Sequence, residues 1–148
     1  MPTQIFLTDS DATARAGASL LSQLPHKAVI FLHGDLGAGK TTFVRGLLRA
    51  AGVCGAIKSP TYSLVEEYET YERKIFHFDL YRLAEPDELE WIGIYDYLEQ
   101  NALCLIEWAK KGSGILPSPD IEIVLTQKYD GRLLEIYDKT HINSMKKQ

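Results

Sequence analysis

No apolar run in this chain approaches the roughly 20 residues that cross a bilayer, and no basic region followed by an apolar core stands behind Met1-Pro2-Thr3-Gln4. The expectation is a protein without a spanning segment or signal peptide, working in the cytoplasm. Cysteine is scarce: Cys54 and Cys104 lack paired spacing and companion histidines, which favours two buried or inert thiols over a disulfide or metal site. Positive charge is also short, with 16 Lys and Arg against 20 Asp and Glu, for a net charge of −4. That balance argues against strong direct binding to nucleic acid, which needs a basic face to displace counterions. The basic pair Lys146-Lys147 reads as part of a frayed, solvated tail over about residues 141–148. Repeats, low-complexity stretches and dividing linkers are missing too, so 148 residues with 45% hydrophobic content are expected to form one domain.

What is there is a glycine-rich loop. Gly34-Asp35-Leu36-Gly37-Ala38-Gly39-Lys40-Thr41 fills every fixed position of G-x-x-x-x-G-K-[ST]. Backbone N–H groups converging on phosphate oxygens require dihedrals that side chains obstruct, hence the glycines. Lys40 then offers a point charge to the β- and γ-phosphates, and Thr41 a hydroxyl to Mg²⁺. Composition alone produces the pattern in about one chain in two hundred of this length, but context strengthens it. Ala28-Val29-Ile30-Phe31-Leu32 reads as a buried strand, and Thr42 to Ala51 as a helix with Phe43, Leu47 and Ala50 on one face and Gly52 as its stop. A helix N-terminus reached through such a loop faces an anion.

Elsewhere, Gln4 to Leu7 suggests an edge strand, and Ser10 a cap for a helix through about Leu24. Lys58-Ser59-Pro60-Thr61 reads as a loop, Tyr62–Tyr68 and Lys74–Asp79 as strands, and Glu85-Pro86-Asp87-Glu88 as a helix start, with a break near Gly93. Leu103 to Glu107 is an apolar strand ending in an acid, and Asp130-Gly131 marks a hairpin between two further strands. The resulting expectation is an α/β fold, a three-layer sandwich with a mixed parallel and antiparallel central sheet.

A phosphate-loop enzyme needs an acid at a neighbouring strand end to hold Mg²⁺. Glu107 and Asp79 both qualify, and either also fits a surface acid or cap. His33 and His77 read as histidines satisfied by their neighbours more readily than as bases. Arg82 fits an arginine finger or a surface ion pair with Glu85 or Glu88, and Trp108 a nucleotide neighbour, a partner anchor or core. Thr61 stands where switch segments sense a γ-phosphate, or in a plain turn. Gln127-Lys128-Tyr129-Asp130 falls short of the guanine pattern N-K-x-D, which favours ATP over GTP.

Together, the glycine loop through Phe43, the run Lys58 to Glu66, the run His77 to Leu83, and Ile106-Glu107-Trp108 closely resemble the bacterial TsaE (YjeE) family. The resemblance implies a P-loop NTPase-like ATPase that supports the TsaB–TsaD complex in making threonylcarbamoyladenosine in tRNA, with the tRNA held by the complex. It assigns phosphate contacts to Leu36, Gly37, Ala38, Gly39, Lys40 and Thr41, and a second essential hydroxyl to Thr42. Mg²⁺ ligation falls to Thr41 and Glu107, and a further catalytic acid to Asp79. Trp108 would lie near the nucleotide, with the base between Asp9-Ser10 and Gly131-Arg132. Where the family usually has Pro after Trp108, this chain has Ala109. The implied cofactors are ATP, with ADP as product, and Mg²⁺. Self-association stays open, a monomer being the simplest expectation. A small-molecule kinase and a non-hydrolysing, nucleotide-dependent interaction module are the competing readings.

Overall fold

The computed structural model describes residues 2–35 and 37–140. Leu36, the basic pair Lys146-Lys147 and the tail expected to fray over 141–148 lie outside the described residues. Seven strands, β1 (Thr3–Leu7), β2 (Ala28–His33), β3 (Val65–Glu69), β4 (Lys74–Asp79), β5 (Leu103–Glu107), β6 (Ile121–Lys128) and β7 (Gly131–Asp138), form one sheet in the order β1-β7-β6-β2-β5-β4-β3. The inner strands β6, β2, β5 and β4 run parallel, while β7, β1 and β3 join antiparallel. Helices α1 (Ser10–Leu21) and α2 (Lys40–Ala50) cover one face; α3 (Glu88–Trp91), α4 (Ile94–Glu99) and a 3₁₀ turn (Ala109–Gly112) cover the other. The architecture is the expected mixed α/β sandwich. No helix among the described residues is long and apolar enough to cross a membrane.

Alternation along the strands distributes the core. On β5, Leu103 and Leu105 pack toward α1 and α2, while Cys104 and Ile106 pack toward α3 and α4. The same parity places Ile75, His77 and Asp79 of β4 on the α1–α2 face. Glu107, two residues beyond Leu105, arrives on that face at the strand's end.

Several local expectations need correction. Asp9, not Ser10, caps α1: its backbone is extended and its carboxylate accepts the Ala12 N–H at 2.8 Å. The helix stops at Leu21, where the Arg73 guanidinium donates to the carbonyls of Leu21, Leu24 and Pro25. α2 begins two residues early and buries Val44 and Leu48 beside Phe43 and Leu47, leaving Ala50 exposed. β3 starts at Val65 rather than Tyr62, because Leu64 N–H closes a turn onto Pro60 O and Leu64 has φ +73°. The late hairpin turns on Tyr129-Asp130, with Tyr129 at φ +53°, and Gly131 already lies in β7. Cys54 is exposed rather than buried.

α1 and α2 cross through their glycines. A Cβ on Gly46 would stand 2.0 Å from Ala14 O, and one on Gly17 would stand 2.1 Å from Phe43 O, so backbones touch where side chains normally separate helices. In an exposed helix, replacing Gly with Ala adds about 1 kcal/mol of stability. Here the sign reverses: Gly46→Ala is expected to destabilise by about 1–3 kcal/mol through overpacking, read as a lower urea midpoint. A higher midpoint would show that the helices do not touch this way. The thiols should differ as well. Burial pushes the Cys104 thiol up to about 12, so a thiol reagent at pH 8 is expected to label Cys54 promptly and Cys104 only after unfolding.

Candidate functional site

β2 delivers the chain into the glycine loop at the C-terminal edge of the parallel strands, where α/β sheets hold ligands. Gly39 sits in the left-handed region at φ +100° as the residue preceding α2, and Gly37 at φ +82°. Among the described residues no side chain caps α2, so its first-turn N–H groups are left without an intrahelical partner. Ala38 N–H differs from the expectation: it donates to Asp35 O at 3.0 Å, closing a tight turn, and the Ala38 side chain is buried.

A cleft of about 640 Å³ opens above this helix start. Gly37, Gly39, Lys40, Thr41, Thr42, Asp79, Glu107, Trp108 and Arg132 all line it. Asp9-Ser10 and Gly131-Arg132 reach the same cleft from β1 and β7, where the resemblance puts the base. Arg132 donates to Gly37 O at 3.0 Å and so ties the late hairpin to the glycine loop. Ala38 instead lines a smaller cleft of about 400 Å³ beside His33.

The floor is charged and nearly dry. Lys40 is 8% exposed and its Nζ lies 3.5 Å from Glu107 Oε1; Glu107 is 7% exposed. His77 Nε2–H donates to Glu107 Oε2 at 2.7 Å. Burial pushes the Glu107 carboxyl up, yet the His77 hydrogen bond and charge, with Lys40, outweigh it and hold the group below the ordinary carboxylate range. Glu107 is therefore a carboxylate and an acceptor only. Trp108, at φ +57°, places its ring 4.9 Å from Lys40 Nζ and 5.0 Å from the Tyr81 ring.

Asp79 joins three segments. Thr61 Oγ1 donates to Asp79 Oδ2 at 3.3 Å, Tyr81 N–H to Asp79 Oδ1 at 3.0 Å, and Asp79 N–H to Leu64 O at 3.0 Å. The Pro60–Leu64 loop is thus held against the end of β4, with Thr61 in the cleft. Arg82 is outside the lining residues and makes no ion pair with Glu85 or Glu88; its guanidinium lies 4.4 Å over the Tyr62 ring. The Glu88 carboxylate instead accepts the N–H groups of Ala84 and Glu85. His33 also stays out of the main cleft, 2.9 Å from Glu122, which Lys139 contacts as well. His77 is satisfied by a neighbour, as expected, and that neighbour is the cleft acid Glu107, a pairing the sequence reading did not foresee. The i, i+2 spacing of His77 from Asp79 on a strand was the available signal, since it puts both on one face.

Among the described residues no group of three His, Cys, Asp or Glu side chains forms a metal cage. A hydroxyl at Thr41 and a carboxylate at Glu107 are nevertheless the hard oxygen donors that Mg²⁺ takes alongside phosphate and water, so the residues fit that ion.

A glycine loop feeding an uncapped helix, with a buried acid at the adjacent strand end, belongs to an α/β protein of the P-loop NTPase-like kind. The family model described as Threonylcarbamoyl adenosine biosynthesis protein TsaE matches residues 7–134. The tRNA threonylcarbamoyladenosine biosynthesis protein TsaE of Haemophilus influenzae is 51% identical over 124 residues, covering 83% of this chain and 78% of that protein. The protein of the same name from Aquifex aeolicus is 36% identical over 138 residues, covering 92% and 96%. A crystal structure of Bacillus subtilis YdiB superposes with a TM-score of 0.79 at 25% identity, over 98% of this chain and 92% of that one. This chain belongs to the TsaE family.

An anion that engages Lys40 competes with Glu107 for an ammonium that lies over Trp108. With Trp91 replaced by Phe, Trp108 is the only tryptophan left of the two. Inorganic tripolyphosphate is then expected to shift or quench its emission saturably; indifferent emission would mean that phosphate does not enter this cleft.

Proposed function

We propose that this chain is a Mg²⁺-dependent ATPase of threonylcarbamoyladenosine biosynthesis, acting in the cytoplasm on a TsaB–TsaD complex that holds the tRNA. The observation that carries the reading is the buried Lys40–Glu107 pair at the foot of the glycine loop, 3.5 Å apart on the floor of one cleft. Membership of the TsaE family supports the pathway, and the net charge of −4 suits a protein that leaves RNA to its partner.

Catalysis of phosphoryl transfer is chiefly positioning and charge neutralisation. The free N–H groups of the α2 first turn and Lys40 bind the phosphates. As Lys40 turns to them, Glu107 keeps His77 and presents an ionised carboxylate to the cleft. Magnesium held by Thr41 and Glu107 would supply charge neutralisation between the phosphate groups. Thr42, on the same helix turn, offers a second hydroxyl, and Asp79, held by Thr61 and the Tyr81 amide, orients an attacking water. Arg132 braces the loop through Gly37. Thr61 connects the cleft to the exposed Tyr62, so the loop reports occupancy to a partner.

Phosphate release from Mg·ATP tests the reading, with the protein alone and with TsaB–TsaD. Slow release that the partners stimulate is expected, and Lys40→Ala should lower ATP affinity by about 10- to 100-fold, the scale of one charge-assisted hydrogen bond, and abolish stimulation. ATP binding without hydrolysis under either condition would favour a nucleotide-dependent interaction module. Phosphate transfer to an added small molecule would favour a kinase.

A further inference from the structure

Glu107 is held by two groups, Lys40 and His77, and only the first stands where a phosphate would compete for it. Lys40 is the group that phosphates attract, so the carboxylate's orientation then depends on the 2.7 Å bond from His77. That bond runs diagonally across the sheet: His77 is registered with Leu105, and Glu107 with Asp79, all on one face.

The histidine side chain makes no other hydrogen bond among the described residues. It is 5% exposed, and its second ring nitrogen, Nδ1, is buried without a hydrogen-bond partner. A histidine kept for the core is ordinarily satisfied by backbone or several neighbours. This one has a single polar commitment, and that commitment is to Glu107. Because an ionised carboxylate only accepts, Nε2 bears a proton in this contact. Oε2 is thereby occupied, and Oε1, now facing Lys40, is the oxygen left for another cation.

We infer that His77 is a positioning residue which fixes Glu107 so that Oε1 is presented to the divalent ion once Lys40 has moved to the phosphates. The inference rests on the Mg·ATP reading above and deepens it. His77 acts through Glu107 and is assigned no contact with substrate. Partners that orient metal-binding side chains typically change metal affinity by about 10- to 100-fold when removed.

The test measures coupling between metal and nucleotide rather than turnover. In a Trp91→Phe background, Trp108 emission reports ATP affinity with Mg²⁺ and with EDTA, and thermal melting checks folding. His77→Ala is expected to raise the Mg²⁺ concentration at half-saturation about 10- to 100-fold, shrinking the ratio of Mg²⁺-loaded to metal-free affinity. His77→Gln, whose side-chain amide places an N–H donor at comparable reach, should restore most of that ratio. An unchanged ratio in His77→Ala would overturn the inference, as would equal loss in both variants at an unchanged melting temperature. Should the starting protein itself show no Mg²⁺-dependent gain in ATP affinity, the Mg·ATP reading fails, an outcome distinct from the other two.

Discussion

Glu107 is an ionised carboxylate that the fold removes almost entirely from water. Taking such a group out of solvent costs several kcal/mol even after relaxation, and two partners offset it here: Lys40 at 3.5 Å and His77 at 2.7 Å. Each comes from a different element, so the charge is tolerable only when β5, β4 and the start of α2 meet in register. The glycine loop, the parallel strand order and the helix crossing can all be understood as conditions for that meeting.

The parallel pairing of β2 and β5 sets Leu32 opposite Glu107, and β4 on the other side sets Asp79 opposite it. Three strand ends thus finish at one level, just where the chain leaves β2 for the loop. α2 is then fixed from above by α1, whose backbone it touches through Gly17 and Gly46. A side chain at that crossing would push α2 outward and carry Lys40 away from the acid. Closely packed helices transmit such shifts because a packed interior has little slack.

The same arrangement gives the site its responsiveness. Lys40 touches both Glu107 and Trp108, and Asp79 holds the Pro60–Leu64 loop through Thr61 and Leu64. An anion drawn to Lys40 would compete with the first set of contacts, and the loop held at Asp79 carries the exposed Tyr62, over whose ring Arg82 lies.

Much of this was legible in the chain order. The loop Gly34–Thr41, the apolar strand ending in Glu107, the boundaries Lys74–Asp79 and the helix break at Gly93 follow from local chemistry: glycine dihedrals, apolar runs and strand alternation. Four motif blocks in sequence also sufficed to point to the TsaE family. Some corrections were as local as the expectations they replaced, while others depended on contacts between distant segments. Asp9 displaced Ser10 as the cap because its carboxylate reached Ala12, and β3 began late because Leu64 closed onto Pro60. Arg82 chose an aromatic ring over neighbouring acids. Above all, His77 became the partner of Glu107 only when β4 and β5 aligned residues that stand 30 positions apart. Local sequence determined which groups the chain carries and what backbone each can adopt. Which charge would be buried, and which two side chains would make that burial possible, was decided by strand order and register, since the compensation of a buried charge depends on distances that exist only in the folded sheet.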